Sequence, residues 1–141
     1  MKYTIAITLL SLVSVSSALA GFTERKLEAA KKSAADSGKS IAFVFYQDYW
    51  DPGCPKCVQQ VSANNKAIEK AIPKSAVKVV EIEKGDKDMD KLPASVSAQG
   101  PLPRIVVTDA ACEKVIAEQK GAPDRDAAKA FEEKVKAASG E

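Results

Sequence analysis

The sequence predicts an α/β sandwich, a central mixed β-sheet of about four strands flanked by helices. Three observations carry that class. Apolar, β-prone runs alternate with amphipathic helical runs along the chain. The run over residues 41–46 is apolar on both alternating faces, the pattern of a central strand covered by helices on both sides. Near the end, two short strands lie close enough to form an antiparallel hairpin and are followed by a closing helix.

The elements follow in order. Residues 1–20, MKYTIAITLLSLVSVSSALA, place Lys2 ahead of a short apolar stretch that ends in Ala18-Leu19-Ala20. That three-part layout is expected of a secretory signal peptide cleaved after Ala20. The apolar stretch falls short of the roughly 20 residues that span a bilayer, and four serines dilute it. The expectation is therefore a periplasmic or secreted protein with no membrane span after cleavage and one domain over residues 21–141. In that domain Thr23 is a fitting N-cap for a first helix, with Phe22 placed to staple onto Leu27. Leu27, Ala30 and Ala34 recur at helical spacing and Gly38 is a natural stop. The central strand is expected over residues 40–48. A second helix starts at Cys54 and carries Cys57, Val61, Ile68 and Ile72 on one face until Pro73 ends it.

Residues 76–84 read as a second strand, partly polar and so nearer an edge. Residues 84–103 read as a loop with one helical turn, since Pro93, Gly100, Pro101 and Pro103 preclude long regular structure. Residues 104–109 and 114–119 are the hairpin strands. In the last helix, Ala128, Phe131 and Val135 form the buried stripe.

Composition narrows the function classes. Without the leader the chain holds 20 basic and 19 acidic residues, with lysines spread among acids. Such a balance predicts no bulk attraction to nucleic acid or anionic lipid. Histidine is absent, which removes the commonest metal ligand and general base. A structural zinc site wants four ligands, and beyond Cys54 and Cys57 only Cys112 remains among the cysteines. Met89 is the sole methionine past the leader, too few for a copper site of the thioether type. Neither metal nor cofactor is expected.

The chemistry concentrates in YWDPGCPKCVQQV, residues 49–61. Cys54 falls at a helix N-terminus, where unsatisfied N–H groups and the positive dipole end favour a thiolate. Cys57 lies one turn on, within reach of a mixed disulfide formed at Cys54. Pro55 fits the first turn because its missing N–H would have had no partner there. Lys56 adds positive charge, and Pro52-Gly53 makes a turn that leaves backbone near the sulfur unobstructed for a partner polypeptide. A purely structural disulfide is the bland alternative. Its three-residue spacing closes so small a loop that it stabilises weakly, which favours exchange chemistry.

The run DYWDPGCPKC, with Asp48, Tyr49 and Trp50 ahead of the cysteine pair, resembles the active-site segment of the thioredoxin superfamily. The element order from about Phe22 to Ala138 is similar to the thioredoxin fold, and GPLPRIVV matches a second signature of the family, a cis proline opening the strand that leads into the hairpin. The resemblance implies a thiol–disulfide oxidoreductase acting on protein thiols or disulfides together with an unidentified redox partner. It implies a Cys54–Cys57 disulfide, Cys54 as nucleophile, Cys57 as resolving thiol and Asp48 as a buried proton acceptor. Trp50 would be a packing platform, Pro103 would pack against the cysteine pair, and Leu102 with Pro103 would dock peptide. The chain departs from the family in Gly53, where thioredoxin has a bulky aromatic, in the Pro55-Lys56 dipeptide, and in a central helix without an internal proline. A second reading is a binding module of the same fold whose Cys54–Cys57 disulfide is structural. Cys112, in the hairpin turn, is expected at the sheet end away from Cys54. It reads either as a partly buried free thiol or as the site of an intermolecular disulfide giving a dimer.

Overall fold

The computed structural model describes residues 21–48, 52–83, 85–96 and 100–139. Residues 1–20, expected from their pattern to be a leader, lie outside the described residues, as do Tyr49 and Trp50. Helix α1 (Glu24–Ser37) is followed by strand β1 (Ser40–Phe45), helix α2 (Pro55–Ala71) and strand β2 (Val77–Ile82). A 3-10 turn at Met89–Lys91 leads to β3 (Arg104–Thr108), β4 (Val115–Lys120) and helix α3 (Arg125–Ser139). The strands form one sheet in the order β2-β1-β3-β4, with β1 parallel to β2 and both other pairings antiparallel. The expected mixed four-stranded sheet is thus observed, with β1 central and β2 at an edge.

Local signals set the element ends. Thr23 caps α1 by accepting from the Lys26 N–H at 3.3 Å. Gly38 closes the helix at φ 66°, a left-handed conformation that a side chain would resist, and donates to the carbonyls of Ala34 and Ala35. Helix α2 ends at Ala71 ahead of Pro73. Strand β1 stops at Phe45, three residues short of the expected end at residue 48. Tyr46 still donates to the Ile82 carbonyl at 3.3 Å, but Gln47 hydrogen-bonds Asn65 of α2 instead of a strand. In the β3–β4 turn, Asp109 ends the ladder because its carboxylate accepts from the N–H groups of Glu113 and Lys114.

Alternation along β1 sorts the core into two layers. Ala42 and Val44 pack with Ile105, Val107, Ile68, Phe131 and Val135, so α2 and α3 cover one face. Ile41, Phe43 and Phe45 pack with Val80, Val106, Phe22, Leu27 and Ala34, so α1 covers the other. Val96 and Leu92 complete that second layer from the segment around the 3-10 turn. Asp86 ties the same segment to the start of α1, since its carboxylate accepts from the N–H groups of both Phe22 and Glu83 at 2.8 Å. No described helix is long and apolar enough to cross a membrane.

Candidate active site

Pairing register brings three chain ends to one edge of the sheet. Phe45 at the end of β1 faces Ile82 at the end of β2 and Arg104 at the start of β3. The chain leaves β1 there and reaches α2 through the Pro52-Gly53 turn, so the first residues of α2 sit at this edge. Cys54 is the N-cap of α2 and Pro55 takes the first helical position, as the sequence predicts. The Cys54 carbonyl accepts from Cys57 N at 3.0 Å and Val58 N at 3.2 Å, which starts the helical ladder. Its side chain makes no capping bond. The sulfur is therefore left at the positive end of the helix dipole, with no carboxylate in the first turn to offset that field.

Cys54 and Cys57 form a disulfide with their Cα atoms 5.3 Å apart, and both are half-buried. Pro52, Gly53, Pro55 and Lys56 around them are exposed. A disulfide flanked by exposed residues at a helix start is open to attack from solvent, unlike one enclosed in a core. The Leu102–Pro103 peptide bond is cis; Pro103 is buried and Leu102 is exposed. The Pro103 carbonyl accepts from Gly121 N at 2.8 Å, which fixes the segment against the end of β4. Arg104 is buried beside it, its guanidinium 4.4 Å from the Phe45 ring centroid, a cation–π distance. Gly100 lies over the same guanidinium, where a Cβ would come within 2.9 Å of Nη1.

Asp48 is a correction. The resemblance implies a buried proton acceptor, and the structure leaves Asp48 exposed. The physical reason is the early end of β1: Tyr46 still packs against the layer under α2 and α3, but the chain beyond it leaves the sheet and carries Asp48 into solvent. What fixes this segment is Asn65. Its amide clasps the Gln47 main chain, Oδ1 accepting from Gln47 N at 3.0 Å and Nδ2 donating to Gln47 O at 2.9 Å. Asn65 thereby holds the exit of β1 against the helix that carries the cysteines. The sequence held a clue, because Asn65 falls at helical spacing with Val61, Ile68 and Ile72 and is the polar member of that face. Asn65→Ala should lower stability by about 1–2 kcal/mol through the unpaired main-chain groups. It should also slow reaction of the cysteine pair with a small disulfide severalfold; urea titration and stopped-flow rates measure the two effects.

Tyr46 follows β1 directly. Its hydroxyl lies 3.4 Å from Glu81 Oε1, and its pKa is pushed up to about 12, first by burial and then by the charges of Glu81, Glu69 and Glu83. At the opposite edge, β3 hands over to the turn that holds Cys112. Cys112 is 6 % exposed and adopts φ 61°. Burial pushes its thiol pKa up, outweighing the hydrogen bond with Thr108 that pulls it down. It lies beyond the other end of β1, roughly 16 Å away at about 3.3 Å per strand residue, so it cannot pair with Cys54 or Cys57. The native thiol holds its proton more tightly than the unfolded chain does. Its contribution to stability is present below the unfolded pKa of about 8.5 and is lost as pH rises beyond it. At pH 8, a maleimide should label Cys112 only as fast as the protein unfolds, and 2 M urea should accelerate labelling by about tenfold or more, read by mass spectrometry.

No protein-family model and no curated protein matches the chain. Solved structures do resemble it. Chloroplastic thioredoxin z, described as defining a novel type-specific target recognition, aligns at 18 % identity with a TM-score of 0.50, over 82 % of this chain and 92 % of that one. A disulphide isomerase from Xylella fastidiosa Temecula1 aligns at 18 % identity with a TM-score of 0.44, over 84 % of this chain and 93 % of that one. The fold is thioredoxin-like.

Proposed function

We propose that this thioredoxin-like chain is an exported thiol–disulfide oxidoreductase that exchanges disulfides with protein substrates through Cys54 and Cys57. The observation that carries the reading is the Cys54–Cys57 disulfide at the uncapped start of α2, half-buried among exposed neighbours. In the reducing direction, the Cys54 thiolate attacks one sulfur of a substrate disulfide and expels the other as a thiolate. The Cys57 thiolate then attacks the Cys54 sulfur, the mixed disulfide breaks, and the second substrate thiolate leaves. Two electrons pass from the pair to the substrate, and the Cys57 proton passes to solvent or to the leaving thiolate. The reverse sequence oxidises a substrate dithiol.

The helix N-terminus and Lys56 stabilise the Cys54 thiolate in this reading. The exposed Leu102 and Gly53 are the surface on which a polypeptide lies, with the buried Pro103 shaping the edge behind Leu102, and Pro55 leaves the approach to Cys54 free of a competing N–H. Trp50 is assigned the packing role. Asp48, being exposed, takes part in proton transfer only through solvent. The buried Cys112 thiol stays outside both the exchange and any covalent dimer. The signal-peptide-like pattern of residues 1–20 supports the exported part of this reading, in a compartment where disulfides persist.

Equilibrating the protein over a series of dithiol buffers, with alkylation of free thiols, tests the exchange reading. A reversible two-electron titration and reduction of a protein disulfide are expected. A pair that stays oxidised throughout, and a Cys57→Ser protein that captures no substrate, would make the domain a binding module with a structural disulfide. Export is tested by N-terminal sequencing of the protein recovered outside the cytoplasm, which should begin at Gly21.

A further inference from the structure

Phe22 anchors the entry to α1. Its ring is buried in the layer under that helix, and its N–H donates to Asp86 Oδ2 at 2.8 Å. Gly21, one residue back, is held from a second side, because its carbonyl accepts from Lys26 Nζ. Gly21 adopts φ 115°, which side chains rarely tolerate, and a Cβ built there would lie 3.0 Å from Asp86 Oδ1. That Cβ position and the Gly21 nitrogen are both one bond from the same Cα. The nitrogen therefore lies within about 6 Å of Oδ1.

The Asp86 carboxylate has capacity to spare. Its bonds from the N–H groups of Phe22 and Glu83 both end on Oδ2, and Oδ1 accepts none among the described residues. Asp86 is half-buried, and so is Asp88, which accepts from the Glu24 N–H at 2.9 Å. Two carboxylates from the segment after β2 thus face the start of α1. Lys26 is the cation placed beside them, and its ammonium is engaged on the Gly21 carbonyl. In a chain that continues upstream, the Gly21 nitrogen is a neutral amide. Hydrolysis of the Ala20–Gly21 bond by a leader peptidase consumes one water, leaving a carboxylate on Ala20 and an ammonium on Gly21.

We propose that Asp86 is the binding site for the chain's own processed amino terminus, with the Gly21 ammonium pairing to Oδ1 and bridging α1 to the segment after β2. The inference rests on the cleavage after Ala20 included in the export reading, and adds what that cut does to the fold. A charge-assisted bond to a half-buried carboxylate is stronger than a neutral one. The precursor lacks it, so the stabilisation belongs to the processed chain alone. Gly21 suits the role because any larger residue would put its Cβ where the carboxylate oxygen lies.

Four proteins test it: chains beginning at Gly21 and at Ala20, each with Asp86 and with Asp86→Asn. Both core layers lie within residues 21–139, so every one of them holds the whole fold. Starting at Ala20 moves the ammonium one residue, roughly 3.8 Å, along the chain. At low salt and about pH 6.5, where a terminal amine is charged, the Gly21 chain should melt about 2–4 °C above the Ala20 chain. That gap should vanish with Asp86→Asn and narrow in ~1 M salt. An acylating reagent at neutral pH should modify the Gly21 amine about threefold more slowly in the parent than in Asp86→Asn, read by peptide mass spectrometry. Equal melting of the two parent chains, or a gap that survives Asp86→Asn, would overturn the proposal. Should Asp86→Asn fail to fold, Nα-acetylation of the Gly21 chain gives the same decision: lowered melting supports the pair and unchanged melting overturns it. None of these measurements depends on leader removal in the cell, which N-terminal sequencing of the exported protein decides separately.

Discussion

Cys54→Ser is expected to abolish disulfide exchange, lowering the rate with a protein disulfide by about 10³-fold or more, because no other thiol occupies the helix start. Cys57→Ser should behave differently. Its Cys54 thiolate still attacks, but no resolving sulfur follows, so a mixed disulfide accumulates and is visible as a mass shift under denaturing, non-reducing conditions. The asymmetry is the informative result. Both cysteines are half-buried and share one disulfide, so residue burial alone does not rank them. What separates them is the helix: Cys54 caps it, whereas Cys57 already lies inside the first turn and donates its N–H to the Cys54 carbonyl. Equal trapping by the two single serine variants would remove the helix terminus as the source of reactivity. The fold should survive both changes, since the cross-link closes a loop too short to constrain the unfolded chain much.

Phe43→Ala carries the largest expected loss of stability. Phe43 is fully buried in the central strand, paired with Val80 on one side and Val106 on the other, under α1. Removing the ring forfeits its burial and leaves a cavity between two strands and a helix that cannot readily collapse. The expected cost is roughly 3–5 kcal/mol, a large part of the 5–15 kcal/mol that holds a typical domain together. Urea denaturation followed by circular dichroism should show the midpoint falling with little change in slope. A loss under 1 kcal/mol would mean that the layer between α1 and the sheet is looser than its burial implies. Val79, exposed on the edge strand β2, is the matched control, and Val79→Ala should lie within about 0.5 kcal/mol of the parent.

Much of this was legible in the residues themselves. Two-faced apolarity over residues 41–45 marks a strand buried on both sides, and no other arrangement of Ile41, Ala42, Phe43, Val44 and Phe45 satisfies them all. Pro55 and Gly38 are local conformational constraints, and such constraints act whatever the tertiary context. The site was less legible where it depends on long-range geometry. Gln47 and Asp48 follow Tyr46 in what reads as a strand, yet backbone pairing ends with the Tyr46 N–H to Ile82 because Asn65, eighteen residues from Gln47, takes the Gln47 main chain. The exposure of Asp48 follows from that competition, which no local pattern encodes. The grouping of acids around Tyr46 was hidden for a similar reason. Glu83 and Asp48 look like ordinary solvated charges until the β1–β2 register sets them around Tyr46.

The order of the strands bears on how reactivity is acquired. β1 and β2 run parallel, so the chain between them must cross the sheet, and α2 makes that crossing with the reactive pair in its opening turn. Crossovers of this kind close long loops, whereas the β3–β4 hairpin and α3 need only near neighbours. On the proposed exchange reading, a newly made chain is expected to gain its reactive sulfur only once β1 has paired with β2 and α2 spans the crossing between them. The rate of thiol exchange during refolding would then serve as a clock for that crossing.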